Sequence, residues 1–279
     1  MQHEVLHLNR FFPELGEDSR DPILTLYLPD NLEPLDRLEQ RRPCMLICPG
    51  GGYRSVSPRE AEPVAVHFLP EGFNVFVLTY STAPHPFPSQ LREVAAAMEL
   101  IHRNQAQWHC DTDRIAIMGF SAGGHLAAHY TNAYDCPEVR ELFPDSKPVA
   151  ASVLCYPVIS IDPTFRHGGS FKNLTGCDLL EEAALQRFSC ERLVSPCTPP
   201  TFLWHTAADK SVPVKNSLVY AQALAENGVP FEYHVYPNGG HGLSTADIHT
   251  NKAVNPMAAY VKDWLGALKQ WLTLIFPMQ

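Results

Sequence analysis

Short, almost purely apolar runs recur along this chain and alternate with longer amphipathic stretches. Runs without polar alternation, such as CMLIC at 44–48, are typical of strands buried on both faces of a sheet. Several of these runs end at a proline, which stops a strand. The pattern predicts strands at 23–28, 44–48, 74–80, 114–120, 151–156, 200–205 and 231–236.

The amphipathic stretches between these runs predict helices. In the longest, Leu91, Val94, Met98 and Ile101 share one helical stripe. We predict helices at 58–71, 90–108, 212–227 and 256–276, and one directly after residue 121. Because strands and helices alternate from about residue 44 onward, we expect a mostly parallel, doubly wound α/β sheet flanked by helices.

Residues 1–279 are expected to form a single domain, and residues 1 to about 20 carry no strong pattern. The stretch at about 158–197 interrupts the alternation, and connections of this length commonly carry function. We therefore predict a small cap insertion there, placed over the functional site and partly helical around 178–188.

The formal net charge of −9 argues against nucleic acid or an anionic membrane as a partner. No apolar run approaches the ~18 residues of a membrane span. The beginning of the chain lacks the basic-then-apolar pattern of a signal peptide, so a cytoplasmic location is expected. The sequence leaves open whether the chain forms a homo-oligomer.

Eight cysteines are scattered along the chain without C-x-x-C pairs. Cys44, Cys48 and Cys155 lie inside apolar runs, where free thiols behave as small hydrophobic side chains. This usage suits a reducing compartment better than a disulfide framework. Because no pair of Cys or His residues shows ligand spacing with a matching second pair, we expect neither a metal site nor a cofactor.

The segment Gly119-Phe120-Ser121-Ala122-Gly123 is a G-x-S-x-G sequence between a predicted strand and a predicted helix. That context is the one required by a nucleophile elbow, in which a serine occupies a tight, strained turn. Side chains two positions before or after this serine would collide with neighbouring elements, which explains the glycines. The alternative is an ordinary glycine-rich turn that packs a helix against a sheet.

A nucleophilic serine needs a histidine base and a carboxylate that orients the histidine. In sheets of this kind the chain order is serine, acid, histidine. Asp209 follows the run at 200–205 and His241 follows the last strand, so Ser121, Asp209 and His241 are the predicted catalytic triad. Alone, Asp209 could equally be a turn or helix-cap residue, and His241 a loop histidine.

Other acid and histidine positions are weaker candidates for the triad. The acids lie too far from the expected strand ends or at the opposite end of the sheet. The histidines lie within a strand, on the helix that follows Ser121, or farther along the chain than the loop after the last strand. For His125 we expect a packed or hydrogen-bonded helix residue. The rejected candidates are His125, His205, His249, Asp111, Asp113 and Asp247.

The glycine run Gly50-Gly51-Gly52 follows the strand at 44–48 and allows backbone to approach a substrate closely. We predict that the backbone N–H groups of Gly51, Gly52 and Ala122 form an oxyanion hole, with Gly50 as the next candidate. Tyr53 is a candidate substrate contact, although packing is the commoner role for such an aromatic side chain.

Together, PGGGY, GFSAGGHLA, DKSVP and GGHG resemble the motifs of the α/β-hydrolase superfamily over about residues 20–275. Within it, the chain is similar to bacterial esterase/lipase-like proteins grouped with acetylxylan esterases. The resemblance implies the same roles for Ser121, Asp209 and His241. Pro49 stands where relatives of hormone-sensitive lipase have a histidine, which argues against that branch.

The resemblance implies a serine carboxylester hydrolase that removes short acyl groups, acetyl above all, from xylan-type or other oligosaccharide esters. A general short-chain carboxylesterase and an amidase or peptidase on the same triad are the alternatives. A non-catalytic binding protein is disfavoured because none of the four motifs is missing. The expected partner is thus a small-molecule ester.

Overall fold

The structure is a computed structural model that describes residues 1–16, 21–35, 37–177, 182–253 and 255–277. Within these ranges, eight strands form one sheet. They are β1 (Gln2–His7), β2 (Ile23–Leu28), β3 (Arg42–Cys48), β4 (Asn74–Thr79), β5 (Cys110–Phe120), β6 (Ala151–Cys155), β7 (Thr201–Thr206) and β8 (Phe231–Tyr236).

The strands lie side by side in the order β1-β2-β4-β3-β5-β6-β7-β8. β2 runs antiparallel to both β1 and β4, and all further pairings, from β4–β3 to β7–β8, are parallel. The predicted mostly parallel α/β sheet is therefore confirmed. β1 was not predicted, because this edge strand is largely exposed and shows no apolar run.

Helices flank the sheet, and within the described ranges none is long and apolar enough to cross a membrane. The predicted helix at 58–71 is wrong in extent: a 3₁₀ turn at Pro58–Glu60 precedes a single α-helical turn. Pro63 would clash with the carbonyl of residue 59 in one continuous helix, so the chain breaks between the two turns. The α-helices are α1 (Glu62–Ala65), α2 (Ser89–Arg103), α3 (Ala122–Ala133), α4 (Pro137–Arg140), α5 (Gly168–Thr175), α6 (Glu182–Phe188), α7 (Lys215–Glu226) and α8 (Trp264–Ile275).

The stretch 158–197 contains α5, α6 and a 3₁₀ turn at Cys190–Arg192. Part of the helix expected around 178–188 is present as α6, whereas residues 178–181 lie outside the described residues. The helix expected at 256–276 begins with a 3₁₀ segment at Pro256–Asp263 and continues as α8.

Both faces of the central strands β3, β4, β6 and β7 are buried, as the continuous apolar runs predict. Along β3, Leu46 and Cys48 pack into the core beneath α2, α3 and α7, whereas Met45 and Ile47 pack into the core beneath α1 and α8. Because alternate side chains point to opposite faces, a strand covered on both sides must be apolar throughout.

Close packing of α3 against β5 and β3 requires glycine at two positions. A Cβ on Gly119 would lie 2.2 Å from the Gly123 carbonyl oxygen, far closer than van der Waals contact allows. A Cβ on Gly123 would overlap the carbonyl oxygens of Cys48 and Pro49 in the same way. These backbone atoms cannot yield without displacing the sheet, which is the collision expected from the sequence.

We therefore expect Gly123→Ala to lower the free energy of unfolding by more than ~3 kcal/mol, or to prevent folding. Gly266→Ala is the matched control, because a Cβ at this exposed position of α8 meets nothing. The control should gain about 0.5–1 kcal/mol, since alanine is the better helix former. Urea unfolding measures both changes, and equal stabilities of the two variants would contradict the packing argument.

Candidate active site

Ser121 occupies the whole turn between β5 and α3. Its backbone has φ 53° and ψ −118°, a conformation that is strained for a residue with a side chain. The Ser121 N–H donates to Cys155 O (3.0 Å), and the Ser121 carbonyl accepts from the N–H groups of His125 (3.1 Å) and Val158 (2.9 Å). These hydrogen bonds hold the strained turn at the carboxyl edge of the sheet.

The loops after β5, β7 and β8 bring Ser121, Asp209 and His241 together. The Ser121 hydroxyl donates to His241 Nε2 (2.7 Å), and His241 Nδ1–H donates to Asp209 Oδ2 (2.6 Å). The Asp209 side chain is fully buried, whereas that of His241 is 20% exposed. This arrangement can move a proton from the serine hydroxyl to the imidazole while a carboxylate compensates the resulting charge.

The Asp209 carboxylate is bound from several sides. Its Oδ1 accepts from the backbone N–H groups of Ser211 (2.9 Å) and Val212 (3.0 Å). Burial alone would raise the pKa of this carboxyl, but hydrogen bonds from His205 and His241 and the backbone N–H of Val212 lower it well below its ordinary value. Asp209 therefore stays ionised over the whole physiological pH range.

His205, a weak candidate for the triad by its position in the sequence, is a further partner of Asp209. The ring is fully buried in β7, and its Nε2 lies 3.4 Å from Asp209 Oδ2 and 3.0 Å from the carbonyl oxygen of Val212. The Ser217 hydroxyl occupies the other ring nitrogen. A histidine inside an otherwise apolar strand could have signalled such a role, because a buried imidazole must find hydrogen-bond partners.

Two N–H groups of the glycine run after β3, those of Gly51 and Gly52, are turned away from the residues that follow the run. The Gly50 carbonyl accepts from Ser57 N–H (2.8 Å), and the Gly51 carbonyl accepts from Arg54 N–H (3.1 Å). In a trans peptide the N–H points opposite to the C=O, so the N–H groups of Gly51 and Gly52 face away from these contacts. Both glycines have positive φ, 130° and 66°, and both line the cavity that contains the serine.

Ala122 N–H is the third predicted donor, at the first residue of α3. The Ser121 carbonyl accepts hydrogen bonds from the N–H groups of His125 and Val158. The Ala122 N–H of the same peptide therefore points in the opposite direction, away from these two residues. Within the described ranges, the N–H groups of Gly51, Gly52 and Ala122 donate to no acceptor. Three unpaired donors beside a serine hydroxyl can bind an oxyanion.

Tyr53 lies behind the glycine run instead of on the cavity wall. Its side chain is 1% exposed, and its hydroxyl donates to His125 Nδ1 (2.9 Å). His125 Nε2–H in turn donates to the carbonyl oxygen of Phe188 in α6 (2.8 Å). The expected substrate contact at Tyr53 is therefore corrected to packing, and His125 is the hydrogen-bonded helix residue that the sequence predicted.

Two aromatic residues of the 158–197 stretch also pack instead of facing the cavity. Phe165 lies under the ammonium group of Lys215 (4.4 Å), and Phe171 makes an edge contact with His125 (5.1 Å between ring centroids). Neither lines the cavity that holds Ser121. Phe171 thus packs α5 against α3, and Phe165 packs the segment before α5 against the start of α7.

Glu60 is a buried carboxylate next to the site that no sequence motif indicated. One oxygen accepts from Gly50 N–H (2.8 Å) and the other from the Tyr156 hydroxyl (2.6 Å). The Tyr156 hydroxyl accepts in turn from Ser244 N–H (2.9 Å), and its ring packs edge-on against His241 (5.2 Å). A single carboxylate thereby connects the glycine run with the loop that carries the histidine.

The neighbouring Arg59 reinforces this connection. Its guanidinium donates to the carbonyl oxygens of Gly242 and Thr250, each at 2.9 Å. Its own carbonyl accepts from the Ser244 hydroxyl (2.7 Å). Arg59 and Glu60 therefore position the segment that follows His241.

The serine opens onto a cavity of about 470 Å³. Its described lining contains serines, glycines, arginines, histidines, Asn173 and Glu60, with no aliphatic, Phe, Tyr or Trp side chain. His167, Gly169 and Asn173 come from the 158–197 stretch, and Asn173 Nδ2 donates to Gly52 O (2.8 Å). The stretch thus contributes part of the wall and contacts the glycine run directly.

The BD-FAE family model matches residues 24–224, well over half of the chain. The chain belongs to the BD-FAE family. This match includes the glycine run, the serine elbow and Asp209, and it ends before His241.

Curated relatives of this BD-FAE member include enzymes of xylan breakdown. The chain is 36% identical to endo-1,4-beta-xylanase B of Butyrivibrio fibrisolvens, over 79% of this chain and 35% of that protein. It is 29% identical to an acetylxylan esterase of Xylanibacter ruminicola, over 84% of this chain and 46% of that protein. The chain therefore spans between about a third and a half of the length of these two relatives.

Solved structures match the BD-FAE chain over almost its full length. An acetyl ester-xyloside bifunctional hydrolase from Caldicellulosiruptor lactoaceticus has a TM-score of 0.82 at 34% identity, covering 98% of this chain and 96% of that one. The carboxylesterase Cest-2923 from Lactobacillus plantarum has a TM-score of 0.81 at 31% identity, covering 98% of each. The chain thus shares the α/β-hydrolase fold of these structures over almost its full length.

Two histidines of α3 are buried and neutral in this BD-FAE member. Burial lowers the pKa of His125 to about 4, against an opposing effect of its bond to Phe188. Burial, helped by the proximity of His125 and by the charge of Arg187, lowers the pKa of His129 to about 3. The His129 ring stacks on that of Phe87 at 5.6 Å.

Acid should therefore destabilise the fold through these two rings. In the unfolded chain these histidines bind protons below the ordinary pKa of 6.5. In the folded chain both rings stay neutral down to about pH 4. Their contribution to the free energy of unfolding is therefore fully present above pH 6.5 and is lost as the pH falls. Each ring contributes a slope of up to ~1.4 kcal/mol per pH unit in that window. Urea unfolding at pH 7 and pH 4.5 should show a smaller loss for His129→Phe than for wild type. Equal losses would contradict the assignment.

Glu60→Gln should impair ester hydrolysis without unfolding the chain. The amide has one acceptor oxygen where the carboxylate uses two, so either Gly50 or Tyr156 loses its acceptor. We expect kcat/KM for p-nitrophenyl acetate to fall roughly 10- to 100-fold through misplaced groups. Glu62→Gln is the matched control, because it removes the same charge from an exposed position two residues away. A similar loss in the control would assign the effect to net charge instead.

Proposed function

We propose that this chain is a serine carboxylester hydrolase that removes acetyl and other short acyl groups from oligosaccharide esters of the xylan type. The observation that carries the proposal is the continuous hydrogen-bonded relay from Ser121 through His241 to Asp209 at a polar cavity. The acetylxylan esterase and acetyl ester-xyloside hydrolase among the similar proteins support the substrate class.

In this mechanism, Ser121 Oγ attacks the ester carbonyl carbon while His241 Nε2 accepts its proton. The N–H groups of Gly51, Gly52 and Ala122 stabilise the oxyanion of the tetrahedral intermediate. Collapse of this intermediate breaks the ester bond, and the imidazolium gives its proton to the leaving alcohol. Water, deprotonated by His241, then attacks the acyl-serine and releases the carboxylic acid and the free serine.

The character of the cavity wall supports a polar alcohol and a short acyl chain. A long acyl chain would need an apolar channel, because it gains about 0.8 kcal/mol for each CH₂ it buries against apolar surface. The described wall offers hydroxyl, amide, imidazole and guanidinium groups, which match the hydroxyls of a sugar. A cavity of about 470 Å³ also far exceeds the volume of an acetyl group.

Residues 1–279 are proposed to act as one α/β-hydrolase domain, with the 158–197 stretch as a small cap. His167, Gly169 and Asn173 support this role, because all three lie on the wall of the cavity. The eight cysteines, all free thiols, are compatible with a reducing cytoplasm.

Wild type and Ser121→Ala are compared on p-nitrophenyl acetate, butyrate and octanoate, on acetylated xylo-oligosaccharides, and on an aminoacyl-p-nitroanilide. We expect acetate release from the oligosaccharide, a preference for short p-nitrophenyl esters, and a loss of at least ~10³-fold in kcat in the variant. Circular dichroism of both proteins controls for folding.

The other outcomes separate the alternatives. Short-chain ester turnover without sugar deacetylation would identify a general carboxylesterase. Anilide turnover above ester turnover would identify an amidase or peptidase. Ester hydrolysis that persists in Ser121→Ala would overturn the mechanism.

A further inference from the structure

His167 lies on the wall of the cavity that contains Ser121 and His241, just before the first residue of α5. Its ring is held by Ser170: the backbone N–H donates to Nδ1 (3.2 Å), and the Ser170 hydroxyl lies 2.8 Å from the same nitrogen. Because a backbone N–H can only donate, Nδ1 acts as the acceptor and the neutral ring carries its proton on Nε2.

His167 Nε2–H therefore is a fixed donor without a partner in the part of the chain that the structure describes. Burial, helped by the nearby His241, lowers the pKa of His167 against an opposing effect of Asp209, so the ring is uncharged at neutral pH. The neighbouring polar side chain of α5, Asn173, already donates to Gly52 O (2.8 Å). His167 thus offers a fixed donor to a ligand from the residue that precedes α5.

The position of His167 relative to His241 indicates which half of an ester it faces. His241 must reach the leaving oxygen, so the alcohol half of the substrate lies beside it. His167 and His241 both line the cavity onto which the serine opens, so a ligand bound beside His241 lies in the same space as His167. It is not a second base, because the Ser121 hydroxyl and the Asp209 carboxylate both pair with His241.

We propose that His167 determines specificity for the alcohol half of the ester, by donating a hydrogen bond from Nε2–H to a hydroxyl or ring oxygen of a sugar. This inference rests on the proposed function, because it concerns the oligosaccharide side of the same reaction. An aryl ester such as p-nitrophenyl acetate carries no sugar oxygen, so it cannot use this donor.

The test compares wild type, His167→Ala, His167→Gln and Ser170→Ala on acetylated xylo-oligosaccharide and on p-nitrophenyl acetate. We expect His167→Ala to lower kcat/KM for the oligosaccharide about three- to tenfold, mainly through KM, as the loss of one neutral hydrogen bond predicts. Turnover of p-nitrophenyl acetate should stay within about twofold, which also shows that the variant is folded. His167→Gln keeps an N–H donor and should recover part of the loss, whereas Ser170→Ala releases the ring and should give an intermediate effect.

Equal losses on both substrates, or no loss on either, would overturn the role of His167 while leaving the proposed function intact. If wild type hydrolyses p-nitrophenyl acetate but releases no acetate from the oligosaccharide, the proposed substrate class fails and the inference fails with it. A substrate-selective loss that the glutamine variant reduces would support the proposal.

Discussion

The strained turn at Ser121 is the constraint on which the rest of this structure depends. A φ of 53° with ψ of −118° is maintained only because β6 and the residues after it bind the backbone of this turn. It also requires α3 to approach β5 and β3 so closely that Gly119 and Gly123 tolerate no side chain. Strain of this kind persists only where many surrounding contacts hold the backbone in place. The packing around the central strands therefore fixes the position of the Ser121 hydroxyl.

The groups around this serine belong to loops that are far apart along the sequence, and polar side chains hold these loops together. Glu60 joins the glycine run to Tyr156, and Arg59 binds the carbonyl beside His241. His205 completes the surroundings of Asp209. Glu60 and His205 would be costly to bury alone, and the hydrogen bonds that each makes with its neighbours offset that cost. Polar packing beneath the site therefore supports its geometry as much as the apolar core does.

The 158–197 stretch contributes both to the position of the glycine run and to the surface that a ligand meets. Asn173 holds the carbonyl of Gly52, and Phe188 accepts the hydrogen bond from His125, whose other nitrogen binds Tyr53. The glycine run is consequently fixed by the same elements that form the wall of the cavity. Substrate preference and the preorganisation of the backbone N–H donors therefore both depend on the 158–197 stretch.

Local sequence by itself determined the buried strands, the elbow at Ser121 and the residues, Asp209 and His241, that follow the late strands. It could do so because strand burial, turn chemistry and chain order at a parallel sheet edge are expressed within a few residues. Tertiary structure decided the edge strand β1, the burial of Tyr53 and the roles of His205 and Glu60. The partners of Tyr53 and Glu60 lie as far as 72 and 96 residues away, and a hydrogen bond across that separation leaves no periodic or local pattern in the chain.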